Sequence, residues 1–268
     1  MKHKITIVNC WHDSNKGDSG IIFGMIKSIG NIFPDTQFSL ISMYSEKDRQ
    51  YKSAYRHLNK AFPYIKIYES PIPTKDCSKI HKFSERILVM IWFQGLFLYS
   101  LIYLMTIHLY DFADKLAVSI IRQSDIVLSS GGHYIVSDNS FKSVFGLYFI
   151  TYPLLIALVL KKPFGIYGHS IGPLNAISRR YIRFLFSKAI FIGVREEFSK
   201  EELIQCGISP KRIQIMPDIA FMLEPDLSLH ILNKYYLKPK DFIVITVRQR
   251  YSRGDVTFDE YERYLKEI

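Results

Sequence analysis

His133 and His169 are the side chains of this sequence best suited to move a proton, and Arg195 and Arg248 those best suited to grip an anion. An imidazole titrates near neutrality and can act as acid, base or hydrogen-bond donor. A guanidinium presents a planar fork that matches a carboxylate or phosphate. Each of these residues follows a short apolar run, where a strand would deliver it to a sheet edge. His133 sits in SSGGHYIVSDN (129–139), after the glycine pair Gly131-Gly132, which would let a ligand approach the backbone. Asp138 in the same stretch could orient a sugar hydroxyl or cap the next helix. A tight turn with a surface histidine accounts equally well for the segment. His169 lies in GHSIGP (168–173), where Gly168, Ser170 and Gly172 could form a backbone cradle with His169 on its rim. A strand exit stiffened by Pro173 is the plainer alternative. Ser170 beside His169 is no catalytic triad, because adjacent side chains diverge and no third group is indicated.

Three further signals have the same form. NKGD (15–18) follows the run ITIVNC (5–10): Gly17 permits a tight turn, Asp18 can cap the helix over 19–29, and free amides at a helix start suit an anion. An ordinary capped turn would look the same. In VREEFS (194–199), Arg195 could hold a ligand or pair with Glu196, and Ser199 with Glu202 reads as a capping box. In PDIAF (217–221), Asp218 could bind a hydroxyl or fix a turn between domains. Arg248 and Arg250 end the run DFIVITVRQR (241–250).

The elements that must position these residues alternate strand and helix. Strands are predicted over 5–10, 38–44, 64–70, 125–132, 163–173, 189–196 and 212–221, with helices over 19–29, 112–123, 144–160, 178–187 and 198–206 between them. That alternation implies a doubly wound parallel sheet covered on both faces. In such sheets ligands bind beyond the carboxyl ends of the strands, where the polar and glycine-rich signals fall. A linker near Pro225 divides the chain into a Rossmann-like domain over 1–225 and the start of a second over 226–268.

Composition narrows the partners. The 268 residues are 48% hydrophobic and 22% charged, so the chain folds around a real core. The net charge of +10 is dispersed, and no zinc-finger or RNP motif accompanies it, which argues against nucleic acid and leaves an anionic substrate or lipid surface. The three cysteines have no metal spacing and fit a reducing cytoplasm. The N-terminus reads as a strand rather than a signal peptide. Residues 87–110 contain no Asp, Glu, Lys or Arg. They read as a buried helix or one lying on the inner face of the plasma membrane, since a full span would separate strands that belong to one sheet.

These signals, in this order, resemble the polysaccharide pyruvyl transferase family: NKGD at 15–18, DIVLSSGG at 125–132 with Asp138, GHSIGP at 168–173, VREEFSKEEL at 194–203 with Gly207, and MPDIAF at 216–221. The resemblance covers roughly residues 5–250. It implies a GT-B-like fold and transfer of the enolpyruvyl unit of phosphoenolpyruvate onto two hydroxyls of a cell-surface polysaccharide precursor, often lipid-linked. It implies no metal and no cofactor beyond that donor. Arg195 would hold the donor's carboxylate or phosphate. Gly131, Gly132, Gly168, Ser170 and Gly172 would line the cleft, with Asp138 and Asp218 among the binding groups. His133 and His169 would contact donor or acceptor, Asn15, Gly17 and Asp18 would shape the acceptor side, and Arg248 would reach in from the second domain. The chain departs from the family pattern in having His133 where a third glycine is usual, and nothing after Arg250 matches the family's Arg-Leu-His-like element. A nucleotide-sugar glycosyltransferase and a non-catalytic remnant that binds ligand or membrane remain alternatives. Acceptor identity and oligomeric state stay open.

Overall fold

A computed structural model describes residues 3–45, 48, 51–71, 116–224, 230–238, 241–243 and 263. The 87–110 segment, Cys77, Arg248 and Arg250 lie outside the described residues. The chain divides into two compact units, Met1–Glu224 and Pro225–Ile268. In the second, the described helix is α7 (His230–Lys234).

In the first unit, β1 (Lys4–Cys10), β2 (Gln37–Ser42), β3 (Lys66–Tyr68), β4 (Ile126–Ser129), β5 (Gly132–Ile135), β6 (Phe164–Ile171), β7 (Phe191–Val194) and β8 (Ile213–Ile215) form one sheet. Its order is β3-β2-β1-β4-β6-β7-β8, with β5 pairing β6 off this path. Every pairing is parallel. The helices are α1 (Lys16–Ile32), α2 (Arg56–Ala61), α3 (Leu116–Gln123), α4 (Phe141–Val159), α5 (Ala176–Phe186) and α6 (Glu197–Gln205). The predicted doubly wound α/β class is observed.

Strand order explains the two cores. From β1 the chain winds outward to β2 and β3, which sets α1 and α2 on one face. There Ile21, Ile22, Met25 and Leu58 pack on Ile5, Ile7 and Leu40. From β4 it winds the other way. Right-handed crossovers then place α4 to α6 on the opposite face, beside α3, which leads into β4; there Ile121, Leu154, Ile182 and Leu203 bury Val127, Ile166 and Ile192. The first strand, with six consecutive buried residues, is covered on both sides, as a central parallel strand must be. The strand order reverses between β1 and β4, which is the position where doubly wound sheets open a crevice.

Several predicted boundaries move. The run 125–132 is two strands, because after β4 the chain steps sideways and Gly132 pairs with His169. The 212–221 run stops at Ile215, and Asp218 begins a 3-10 turn, Ile219–Met222. That turn lies on α1 across Gly20 and Gly24. A Cβ on Gly24 would stand 2.2 Å from the Ile219 carbonyl oxygen, so the contact requires glycine.

Candidate functional site

Two groups of polar side chains occupy the carboxyl end of the sheet. The first surrounds Arg195, one residue beyond β7. Its Nε and Nη2 donate to Ser170 Oγ at 3.0 and 2.6 Å, and Nη1 donates to Asp218 Oδ2 at 2.5 Å. Ser170 in turn donates to Glu196 Oε2 at 3.0 Å. Ser199 donates to the other Glu196 oxygen and accepts from the Ile171 amide at 2.7 Å. Three of the five guanidinium N–H groups are thus used, and one on each Nη has no partner among the described residues. The arginine side chain is 19% exposed and Asp218 28%.

This corrects three expectations. Arg195 pairs with Asp218 rather than Glu196, so an incoming anion finds a guanidinium that is already oriented and already shared. Ser199 does not cap α6: Glu196 is the N-cap residue, and Ser199 stands three residues inside, tying β6 to the helix. Glu202 belongs to no capping box, because it accepts from Arg179 Nε at 2.8 Å.

The second group is centred on His169. Strand β6 runs through Ile171, so His169 stands on the strand and is 0% exposed rather than on the rim of a loop. Its Nε2 lies 2.9 Å from Ser129 Oγ, which also accepts from Asn9 Nδ2 at 3.1 Å. A row of side chains therefore joins β1, β4 and β6. The row continues to β7 through the backbone, where the Arg195 amide donates to the His169 carbonyl at 3.0 Å. Tyr134 packs its ring 5.0 Å from the imidazole and donates to the Ser130 carbonyl. Burial, with the Arg195 charge beside it, pulls the His169 pKa down to about 3. The ring is neutral at any ordinary pH, so it serves as a hydrogen-bonding group and not as an imidazolium acid. Burial likewise holds the Tyr134 hydroxyl well above its usual range.

That depression has a measurable consequence. The unfolded chain takes up a proton on this histidine as pH falls through about 6.5, and the folded chain does so only near 3. Stability present above pH 6.5 is therefore lost progressively between these values, at up to about 1.4 kcal/mol per pH unit. Denaturant midpoints measured from pH 7 to pH 4 should fall more steeply for the native chain than for His169→Asn.

The glycines divide by role. A Cβ on Gly131 would lie 2.6 Å from the Gly168 carbonyl oxygen, and one on Gly132 2.6 Å from the Tyr134 ring. This pair makes room for the protein's own strand and ring, not for a ligand. Gly172, at φ +92°, is crowded by Glu202. Gly168 differs: it is buried, has φ +67°, and a Cβ there would meet no atom within 4 Å. Of the predicted cradle, it is the glycine with room beside it.

The remaining predicted residues stand apart from both groups. His133 is exposed and donates Nε2–H to the Gly172 carbonyl at 3.0 Å, which ties β5 to the end of β6. Asn15, not Asp18, caps α1. Its Oδ1 accepts from the Gly17 amide at 3.2 Å, and its Nδ2 donates to Asp18 Oδ2 at 2.7 Å. Gly17 lies in the first helical turn with no left-handed backbone. Asp138 accepts from the Ser140 amide at 2.8 Å, but Ser140 is the cap of α4. Sequence reasoning missed Asn9, Trp11, Ser129 and Tyr134. Asn9 and Trp11 bracket the end of β1, and the strand-end rule applied to the first strand would have marked them. Among the described residues, no group of three or more His, Cys, Asp or Glu side chains could hold a metal ion, and no helix is long and apolar enough to cross a membrane.

A parallel doubly wound sheet with a buried imidazole and an oriented guanidinium at its carboxyl end defines an α/β protein with polar groups gathered at its strand ends. Residues 15–267 match the family model for polysaccharide pyruvyl transferase. The chain belongs to that family. The amylovoran biosynthesis protein AmsJ of Erwinia amylovora is 26% identical over 268 residues, a match covering 97% of this chain and 60% of that protein. The chain thus spans about 60% of the length of this curated relative. Solved structures show a distant likeness. For HepE from Anabaena with UDP and glucose, identity is 10% and the TM-score 0.43, covering 81% of this chain and 44% of that one. For MnaA from S. aureus with UDP the values are 10% and 0.44, covering 88% and 52%. At those scores the likeness carries no argument about ligands.

Proposed function

We propose that this chain takes part in moving the enolpyruvyl unit of phosphoenolpyruvate onto two hydroxyls of a saccharide in polysaccharide synthesis. Family membership supports the reaction class, and the observation that carries the donor assignment is Arg195. Its guanidinium is fixed by Ser170 and Asp218 and keeps one N–H on each Nη for a carboxylate or phosphate oxygen. The reaction balances without an oxidant. One hydroxyl proton ends on the methylene carbon, both hydroxyl oxygens bond to the central carbon, and the second proton leaves with phosphate. Neutral His169 orients groups through hydrogen bonds in this scheme, and the proton delivered to carbon comes from elsewhere. Arg248, outside the described residues, remains a proposed donor contact, and 87–110 a proposed contact with the membrane that would present a lipid-linked acceptor.

Thermal denaturation of the full chain tests the donor. Phosphoenolpyruvate at about 100 times its Kd should add about 2.7 kcal/mol, a rise in Tm of several degrees. Nucleotide sugars should leave Tm unchanged. Stabilisation by a nucleotide sugar with no response to phosphoenolpyruvate would overturn the proposal.

A further inference from the structure

Three buried polar atoms in and beside the second group have no hydrogen-bond partner among the described residues: Asn9 Oδ1, Trp11 Nε1 and His169 Nδ1. A buried polar group left without a partner is costly, and a cluster of them is uncommon in a native fold. They are carried by side chains in one connected set. Asn9 and His169 share Ser129 Oγ, at 3.1 and 2.9 Å. The Tyr134 ring lies 5.8 Å from Trp11 and 5.0 Å from His169. Rotating the Asn9 amide would not remove the problem, because the other end would then be left over.

The backbone adds a second, independent observation. Asn9 has φ +63°, a left-handed conformation rare outside glycine, and Ser130 holds it there by donating Oγ–H to the Asn9 carbonyl at 2.8 Å. Such conformations persist where the surroundings enforce them, and they concentrate at ligand sites. Gly168, on β6 and with room beside it, precedes His169 directly. Asn9 and Ser129 fall at the β1/β4 reversal, and Gly168 and His169 on β6, the next strand.

The chemistry of the set selects its ligand. Asn9, Ser129, Tyr134 and His169 are all neutral at working pH, so the floor offers donors and acceptors without charge. Beside it, joined through the Trp11–Tyr134 contact, Trp11, Tyr44 and His12 are partly exposed, with Trp11 and Tyr44 rings 6.5 Å apart and His12 and Tyr44 6.2 Å apart. Aromatic faces beside neutral hydrogen-bonding groups suit a sugar ring, whose C–H face is apolar and whose rim is hydroxyl. We propose that Asn9, Trp11 and His169 form a subsite for a neutral saccharide, with Trp11 over the ring and the Asn9–Ser129–His169 row receiving its hydroxyls. Charge recognition is left to Arg195. Only the label of acceptor rests on the pyruvyl-transfer reading; the saccharide chemistry does not.

The sequence contains two tryptophans, so Trp92→Phe makes Trp11 the sole indole reporter in the full chain. Titration with neutral hexoses and N-acetylhexosamines at millimolar concentrations should shift its emission saturably for at least one sugar. In the native background, Trp11→Phe keeps an aromatic ring and removes the N–H. It should weaken calorimetric binding of that sugar about tenfold, the loss of one hydrogen bond, while the thermal shift with phosphoenolpyruvate is unchanged. Asn9→Gly, which tolerates the backbone angle, should weaken it similarly. If no neutral sugar moves Trp11 emission, or only phosphoenolpyruvate does, the subsite falls. If sugars bind and phosphoenolpyruvate does not stabilise the chain, the subsite stands and the donor assignment falls.

Discussion

Arg195→Ala is expected to abolish stabilisation by phosphoenolpyruvate and to lower kcat/KM for the proposed pyruvyl transfer by about two to three orders of magnitude, the usual loss when one oriented donor to a reacting anion is removed. Lysine should not rescue it. An ammonium cannot span Ser170 and Asp218 at once, as the guanidinium does, and it offers a point charge in place of a fork. The pair's contribution to stability is small by comparison, because both side chains are partly exposed and screened by solvent. The two effects separate through Asp218→Asn. That variant keeps an acceptor oxygen beside the guanidinium and removes the competing charge, so the thermal shift with phosphoenolpyruvate should survive in it. Equal loss of the shift in both variants would mean that Arg195 serves the fold and not a ligand.

Gly24→Ala should lower Tm by several degrees, against the expectation from helix propensity. In a solvated helix interior this change stabilises by up to about 1 kcal/mol. Here the added methyl would stand 2.2 Å from the Ile219 carbonyl oxygen and 2.9 Å from its carbon, both backbone atoms that cannot rotate away. Overpacking of this kind costs about 1–3 kcal/mol, so steric conflict outweighs propensity. Gly30→Ala is the control in the same helix. Its methyl would meet only the Phe38 ring, at 3.9 Å, and Tm should hold or rise. If Gly24→Ala also raises Tm, the packing of the 219–222 turn on α1 is wrong.

Fold class was legible in the sequence because apolar runs alternate with amphipathic ones, and parallel order follows from that alternation. The site was legible only where chemistry coincides with a conspicuous residue type. Arg195, Ser170 and Asp218 were each singled out, and the structure joins them. That Asp218 and not Glu196 meets the arginine depends on a turn docking against α1, a contact between residues almost two hundred positions apart. His169 was misjudged because Gly168 suggested a loop, whereas the strand continues through it in a left-handed kink. Caps were exchanged for a similar reason. Short polar side chains at helix starts are chemically alike, and only the backbone angles decide that Asn15, Ser140 and Glu196 take the cap positions. Asn9 and Trp11 escaped because neither is charged nor glycine, and nothing local signals an αL asparagine.

Asp218 has two attachments, one to the guanidinium and one through Oδ1 to the Ala220 amide at 3.0 Å, which starts the turn seated on Gly20 and Gly24. Six residues later the first unit ends at Glu224. The carboxylate that sets the angle of Arg195 therefore also opens the turn that packs on α1. A ligand that immobilises Arg195 must, by reciprocity, make the 219–222 turn harder to peel from α1.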